Sequence, residues 1–157
     1  MKFLTDRSLG RLTKWLRLLG YDTESYPGDA DRSFLNRARS EGRVALTRKR
    51  SLGKKQFMGE MLILEADLVE DQLRYVISHF SLEQEQQEGH AFSRCLKCNE
   101  RLVHVDKENV KERVPEYTFE TFGRFMTCPR CGSVFWPGTH KERAEDFIRK
   151  RILTSRP

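Results

Sequence analysis

The chain has 157 residues, 38% hydrophobic and 33% charged, with a net charge of +6 and a pI near 9.3. That length holds one ordinary domain, or a smaller one joined to a metal-stapled module. No apolar run is long enough for a transmembrane helix, and with clustered cysteines and no secretory leader a cytoplasmic protein is expected.

Residues 1–82 alternate strand-like and helix-like patterns. Lys2–Thr5 reads as a short apolar strand. Leu9, Leu12, Leu16 and Leu19 then recur at helical spacing, with Gly20 where a C-cap belongs. A second strand is expected at 21–24. A helix follows at 31–41, with Phe34, Leu35 and Ala38 inward and Gly42 at its end. Val44–Thr47 and residues 61–64 read as further strands, and Val69, Leu73, Val76 and Phe80 mark another amphipathic helix. The alternation predicts an α/β domain, a parallel sheet with helices on both faces. The stretch 81–93 is polar, Gln/Glu-rich and without apolar periodicity, and 83–93 reads as a linker. Residues 94–157 then form a small second domain, with ribbon strands at 102–105 and 117–125 and a basic helix at 141–153.

All four cysteines fall in two Cys-x-x-Cys pairs, Cys95/Cys98 and Cys128/Cys131. Two such pairs supply a complete tetrahedral thiolate set, and structural Zn²⁺ is the expected occupant of this four-cysteine ribbon. Iron fits the same geometry. Disulfides need an oxidising compartment, and a redox pair would not come in duplicate. A site closed by four thiolates has no open position for chemistry. Gly132 stands where such a knuckle turn favours positive φ.

Charge is distributed unevenly. Residues 1–55 carry 14 Lys/Arg against 6 Asp/Glu, residues 56–90 carry 1 against 8, and residues 91–157 carry 14 against 9. The basic first third suggests a polyanionic partner, nucleic acid foremost; the alternative is a solvated surface. Arg11, Lys14 and Arg17 recur along one side of the first helix, expected to be its exposed side. Arg48, Lys49, Arg50, Lys54 and Lys55 crowd the segment after the third strand. Both sets could track a phosphate backbone. Tyr117, Phe119, Phe122, Phe125, Phe135 and Trp136 either stack on bases or form the ribbon's small core.

In a parallel sheet, ligands bind beyond the carboxyl ends of the strands. Asp6 follows the first strand, Asp29 and Asp31 follow the second, and Asp67 follows the fourth. Their convergence would make a site for Mg²⁺ or Mn²⁺ of the kind that cleaves phosphodiesters. Each acid has a plainer role available. Asp29 or Asp31 can serve a helix N-terminus, Asp67 with Glu70 fits a capping box, and Asp6 fits a turn.

The segments Phe3-Leu4-Thr5-Asp6, Leu9-Gly10-Arg11-Leu12, Trp15 through Asp22 and Leu46-Thr47-Arg48 resemble the Mut-seven C-terminal RNase family. So do Arg94 through Asn99, Cys128 through Gly132 and Trp136 through His140, in the same order along nearly the whole chain. The resemblance implies a PIN-like nuclease domain fused to a zinc ribbon, cutting RNA at a metal-bound acidic cluster. Asp6 matches the first acid of that cluster, and the Asp29/Asp31 region matches the second. The position after Leu46-Thr47-Arg48 is usually acidic in the family and is Lys49 here. An ammonium there repels Mg²⁺, contacts phosphate, or points away. The expectation is a metal-dependent endoribonuclease with Asp6 central and Asp29, Asp31 and Asp67 as candidate partners. The alternatives are an RNA-binding protein disabled by Lys49, and a protein adaptor docking through its ribbon.

Overall fold

A computed structural model describes residues 1–82 and 90–153 of the chain. Four parallel strands form the main sheet: β1 (Lys2–Thr5), β2 (Asp22–Ser25), β3 (Val44–Thr47) and β4 (Met61–Ile63), in the order β2-β1-β3-β4. Phe3 pairs with Thr23 on one side and Val44 on the other, and Ala45 pairs with Met61. Between the strands run α1 (Gly10–Leu18), α2 (Arg32–Ser40) and, after β4, α3 (Val69–His79). The expected strands and helices of this half are all present, with ends shifted by a residue or two, as frayed termini allow.

Strand alternation divides the core in two. Phe3, Val44, Leu46 and Leu62 face one side, against Leu12 and Leu16 of α1 and Leu73, Val76 and Ile77 of α3. Leu4 and Ala45 face the other, against Phe34, Leu35 and Ala38 of α2. Both faces are therefore covered, which is why β3 is buried at all four positions and carries no polar-out alternation. Gly20 closes α1 at φ +93°, where a side chain is strained. A Cβ there would lie 2.2 Å from the His90 carbonyl oxygen.

The second half carries an antiparallel ribbon, β5 (Val103–Val105), β6 (Phe125–Thr127) and β7 (Val134–Phe135). The strand expected at 117–125 is corrected: a short helix, α4 (Glu116–Thr121), occupies most of it, and β6 begins only at Phe125. Pro115 explains the difference. Its φ of −57° suits a helix start, its carbonyl accepts the Phe119 N–H at 2.9 Å, and Glu116 complements the first turn.

The basic C-terminal segment forms α5 (Thr139–Phe147), continuing as a π-helical stretch, Ile148–Leu153. It returns to the sheet domain. Ile148 and Ile152 enter the core beside α1 and α3, and Phe147 stacks on Trp15 at 4.6 Å between ring centroids. Most of the linker expected at 83–93 lies outside the described residues. Among the described residues, no helix is long and apolar enough to cross a membrane.

Candidate functional site

β1 and β3 are neighbours, so residues just beyond their carboxyl ends meet. Asp6 leaves β1 with its N–H donating to the Leu46 carbonyl of β3 at 3.1 Å. It is 5% exposed and is the one buried carboxylate among the described residues. Oδ1 accepts the Ser8 N–H at 2.8 Å and the Ser8 hydroxyl at 2.5 Å. Oδ2 accepts the Thr47 hydroxyl at 2.5 Å and the Arg48 N–H at 3.2 Å. Four neutral donors thus hold a buried anion, as a carboxylate sequestered from water requires. Ser8 and Thr47 were not legible as site residues. Their only signal was a small hydroxyl residue two positions after the acid and another at the end of a neighbouring strand.

The other three acids are engaged separately. Exposed Asp29 pairs with Arg7 at 3.0 Å, and exposed Asp67 pairs with the Arg48 guanidinium. Asp31 caps α2, its Oδ1 accepting the Ser33 and Phe34 N–H groups at 2.8 and 3.2 Å. Among the described residues only the four cysteines bring three or more such ligand atoms together, and the four acids are held on separate partners. Each flanking acid has a nearer partner, a guanidinium or unsatisfied helix N–H groups. Lys49 is exposed. Its N–H donates to Thr47 Oγ1 at 3.0 Å, and its ammonium makes no ion pair with Asp6 or another carboxylate among the described residues.

Of the basic residues, Arg11, Lys14, Arg48, Lys49, Arg50, Lys54 and Lys55 are exposed, with Arg50 paired to Glu65 at 3.2 Å. Arg17 is not, and its expected place on the exposed side of α1 is corrected. It is 6% exposed, with Nε donating to the Thr23 carbonyl at 2.8 Å and Nη1 to the Leu96 and Lys97 carbonyls at 3.0 Å each. Position 17 faces the first cysteine knuckle, so its guanidinium serves backbone carbonyls rather than phosphates. A groove of about 570 Å³ opens beside Asp6, between the start of α1 and the start of α3. Ser8 and Arg48, two of the residues that bond Asp6, line it, as do Arg11 and Lys14.

The cysteine site is built from two matched knuckles. Cys95 and Cys128 each accept, through their carbonyls, the N–H four residues on, Asn99 and Gly132, at 2.9 Å. Both residues have left-handed backbone, φ +67° and +72°. All four Sγ atoms lie within 4.8 Å of one another, with Cys95–Cys131 at 3.6 Å and Cys98–Cys128 at 3.3 Å. Zinc–thiolate bonds of about 2.3 Å give a tetrahedral edge of about 3.8 Å, so the donor set fits zinc. Hydrogen bonding to Ser133 holds Cys131 down to about 6, while burial pushes Cys98 up to about 12.

Asn99 also ties the first knuckle to the sheet. Its Oδ1 accepts the Thr23 N–H at 3.0 Å, and its Nδ2 donates to Asp22 at 2.7 Å and Glu24 at 3.1 Å. Arg94 donates to the Gly20 carbonyl at 3.0 Å and the Asn99 carbonyl at 2.8 Å. An Asn in the slot that Gly132 fills in the second knuckle was the available signal for this tie.

No curated protein and no solved structure matches the chain. The sequence profile described as the Mut7-C RNAse domain matches residues 1–148, the sheet and the cysteine knuckles together, and the chain belongs to that family.

Proposed function

We propose that the chain is an endoribonuclease that cleaves RNA phosphodiesters at the carboxyl edge of its parallel sheet, with Asp6 as the central acid. The observation that carries this reading is Asp6 itself, a buried carboxylate one hydrogen bond from the wall of a groove edged by Arg11, Lys14 and Arg48. Membership of an RNase domain family supports RNA as substrate.

Mg²⁺ and Mn²⁺ are commonly held by one or two carboxylates, with waters and substrate phosphates completing the shell. The residues present fit that sparse mode rather than a carboxylate cage. Asp6 is the candidate ligand, and Asp29 and Asp67 are candidate partners, while Asp31 caps α2. Asp29 and Asp67 are held only by exposed ion pairs, which contribute about 0–1 kcal/mol and exchange readily. The ion, when bound, would activate a water and neutralise charge on the leaving oxygen. The chain's own part is positioning. Ser8, Thr47 and the Arg48 N–H fix the Asp6 carboxylate. Arg11, Lys14, Lys49, Lys54 and Lys55 attract the phosphate backbone.

Cleavage of single-stranded RNA with Mn²⁺, compared between the wild type and Asp6→Asn, tests the reading. Cleavage lost in the variant while RNA binding persists supports it; two equally inert proteins that both bind RNA refute it. A second reading rests on Lys49, which stands where the family usually has an acid. In that reading the chain binds RNA without cutting it, and Lys49→Asp gains cleavage that the wild type lacks.

A further inference from the structure

We propose that the groove between α1 and α3 is a nucleotide subsite, with phosphate held at the α1 side and an amino-bearing base read at the α3 side by Gln72. The inference rests on the RNA reading and names what part of the RNA the groove takes.

The two walls differ in charge. Arg11, Lys14 and the first turn of α1 form one side, where two cations favour a phosphate. Leu68, Val69, Glu70 and Gln72 form the other, at the start of α3. Leu68 is 59% exposed, an uncovered apolar surface of the kind a base ring packs on.

Gln72 is the independent sign of a ligand. It is 5% exposed, and its Nε2 donates to the Ala66 carbonyl at 2.8 Å, which fixes the amide's orientation. No hydrogen bond reaches its Oε1. Among the described residues the only fully enclosed side-chain nitrogen or oxygen without a partner is Arg74 Nε, so Gln72 Oε1 is not fully enclosed, and Gln72 lines the groove. A rigidly held, unused acceptor selects a donor. The nearby carboxylate of Glu70 also favours amino groups and disfavours carbonyl edges. Adenine, cytosine and guanine present an exocyclic amine there, whereas uracil presents carbonyls on both sides of its one ring N–H.

The test uses the full chain with two probes, adenosine 5′-monophosphate and purine riboside 5′-monophosphate, which lacks only the amine. Titration followed by NMR is expected to shift the Gln72 side-chain amide and the Leu68 and Val69 methyls. The amine-free analogue should bind about 3- to 10-fold more weakly, the loss of one neutral hydrogen bond. Arg11→Gln with Lys14→Gln should weaken both probes and leave their ratio unchanged, and Gln72→Met should bring the ratio to one. Equal affinity of the two probes for the wild type, or shifts confined to another surface, overturns the subsite. If RNA is cut at Asp6 while neither probe touches the groove, the subsite falls and the nuclease reading stands. If the probes bind as expected and RNA is not cut, the subsite stands without the nuclease.

Discussion

Arg17→Met tests whether the knuckle and the sheet are one structural unit. The substitution keeps a long apolar stem on α1 and removes the donors to three carbonyls: Thr23 at 2.8 Å, Leu96 at 3.0 Å and Lys97 at 3.0 Å. Each hydrogen bond from a charged donor contributes about 1.5 kcal/mol or more net of water. Against that stands the burial of the guanidinium, felt as a pKa pushed below its ordinary value by desolvation, with Glu24 and the cysteines opposing. Relieving that burial recovers part of the loss, which leaves a destabilisation of about 3 kcal/mol. For a chain of this size that corresponds to a Tm drop of about 6–12 °C. The assay is thermal or urea unfolding of the zinc-loaded protein, with release of zinc to a chelator followed in parallel. The variant is expected to melt earlier and release zinc faster, because two of those carbonyls, Leu96 and Lys97, belong to the first knuckle. A change below about 0.5 kcal/mol, typical of an exposed surface site, would refute the reasoning and return Arg17 to the solvent.

Asp22 gives the interface a pH dependence. Burial alone raises its pKa, but hydrogen bonds from Arg43 and Asn99 and the Arg43 charge outweigh this and hold it below the ordinary carboxylate value. A depressed folded value stabilises above the unfolded value of about 3.9, and that contribution disappears as pH falls through the folded value. Urea unfolding should therefore show Asp22→Asn less stable than the wild type at pH 6, with the gap closing toward pH 2; a gap independent of pH contradicts this. Ile152→Ala should cost about 2–4 kcal/mol, as for a core aliphatic. A cost below about 0.5 kcal/mol by the same assay would detach the C-terminal helix from the core. Gly20→Ala should destabilise more than Gly132→Ala. Both have positive φ, but only at Gly20 does the added Cβ meet backbone, at 2.2 Å against 3.7 Å from a flexible Arg113 tip. Comparable melting temperatures for the two variants would contradict that ordering.

The sheet domain was legible because its signals are local and agree with one another. Leucines at helical spacing, Gly20 and Gly42 as stops, and β-branched or apolar strands all point to one architecture. The cysteine pairs were equally plain, since spacing alone defines two knuckles. What the sequence withheld depends on which residues meet. Arg17 looks like any surface arginine until the first knuckle closes over it. Asp31 reads as a ligand or a cap, and only the Ser33 and Phe34 N–H groups decide for the cap. Gln72 carries no sequence signal, because its interest lies in one oxygen left unused at the edge of a groove. The C-terminal helix reads in sequence as part of the 94–157 unit, whereas Ile148 and Ile152 pack with α1 and α3.

The central claim is that RNA is cut at the edge where Asp6 lies, and single-turnover cleavage of a labelled single-stranded RNA in Mn²⁺ tests it most directly. Asp6→Asn puts an amide opposite the Ser8 and Arg48 N–H donors, so the comparison is made below the melting temperature of both proteins. The account predicts that the wild type cuts, that Asp6→Asn cuts at least about 100-fold more slowly, and that both bind the RNA with similar, salt-sensitive affinity. Equal cleavage rates for the two proteins would place the chemistry away from Asp6 and contradict the account.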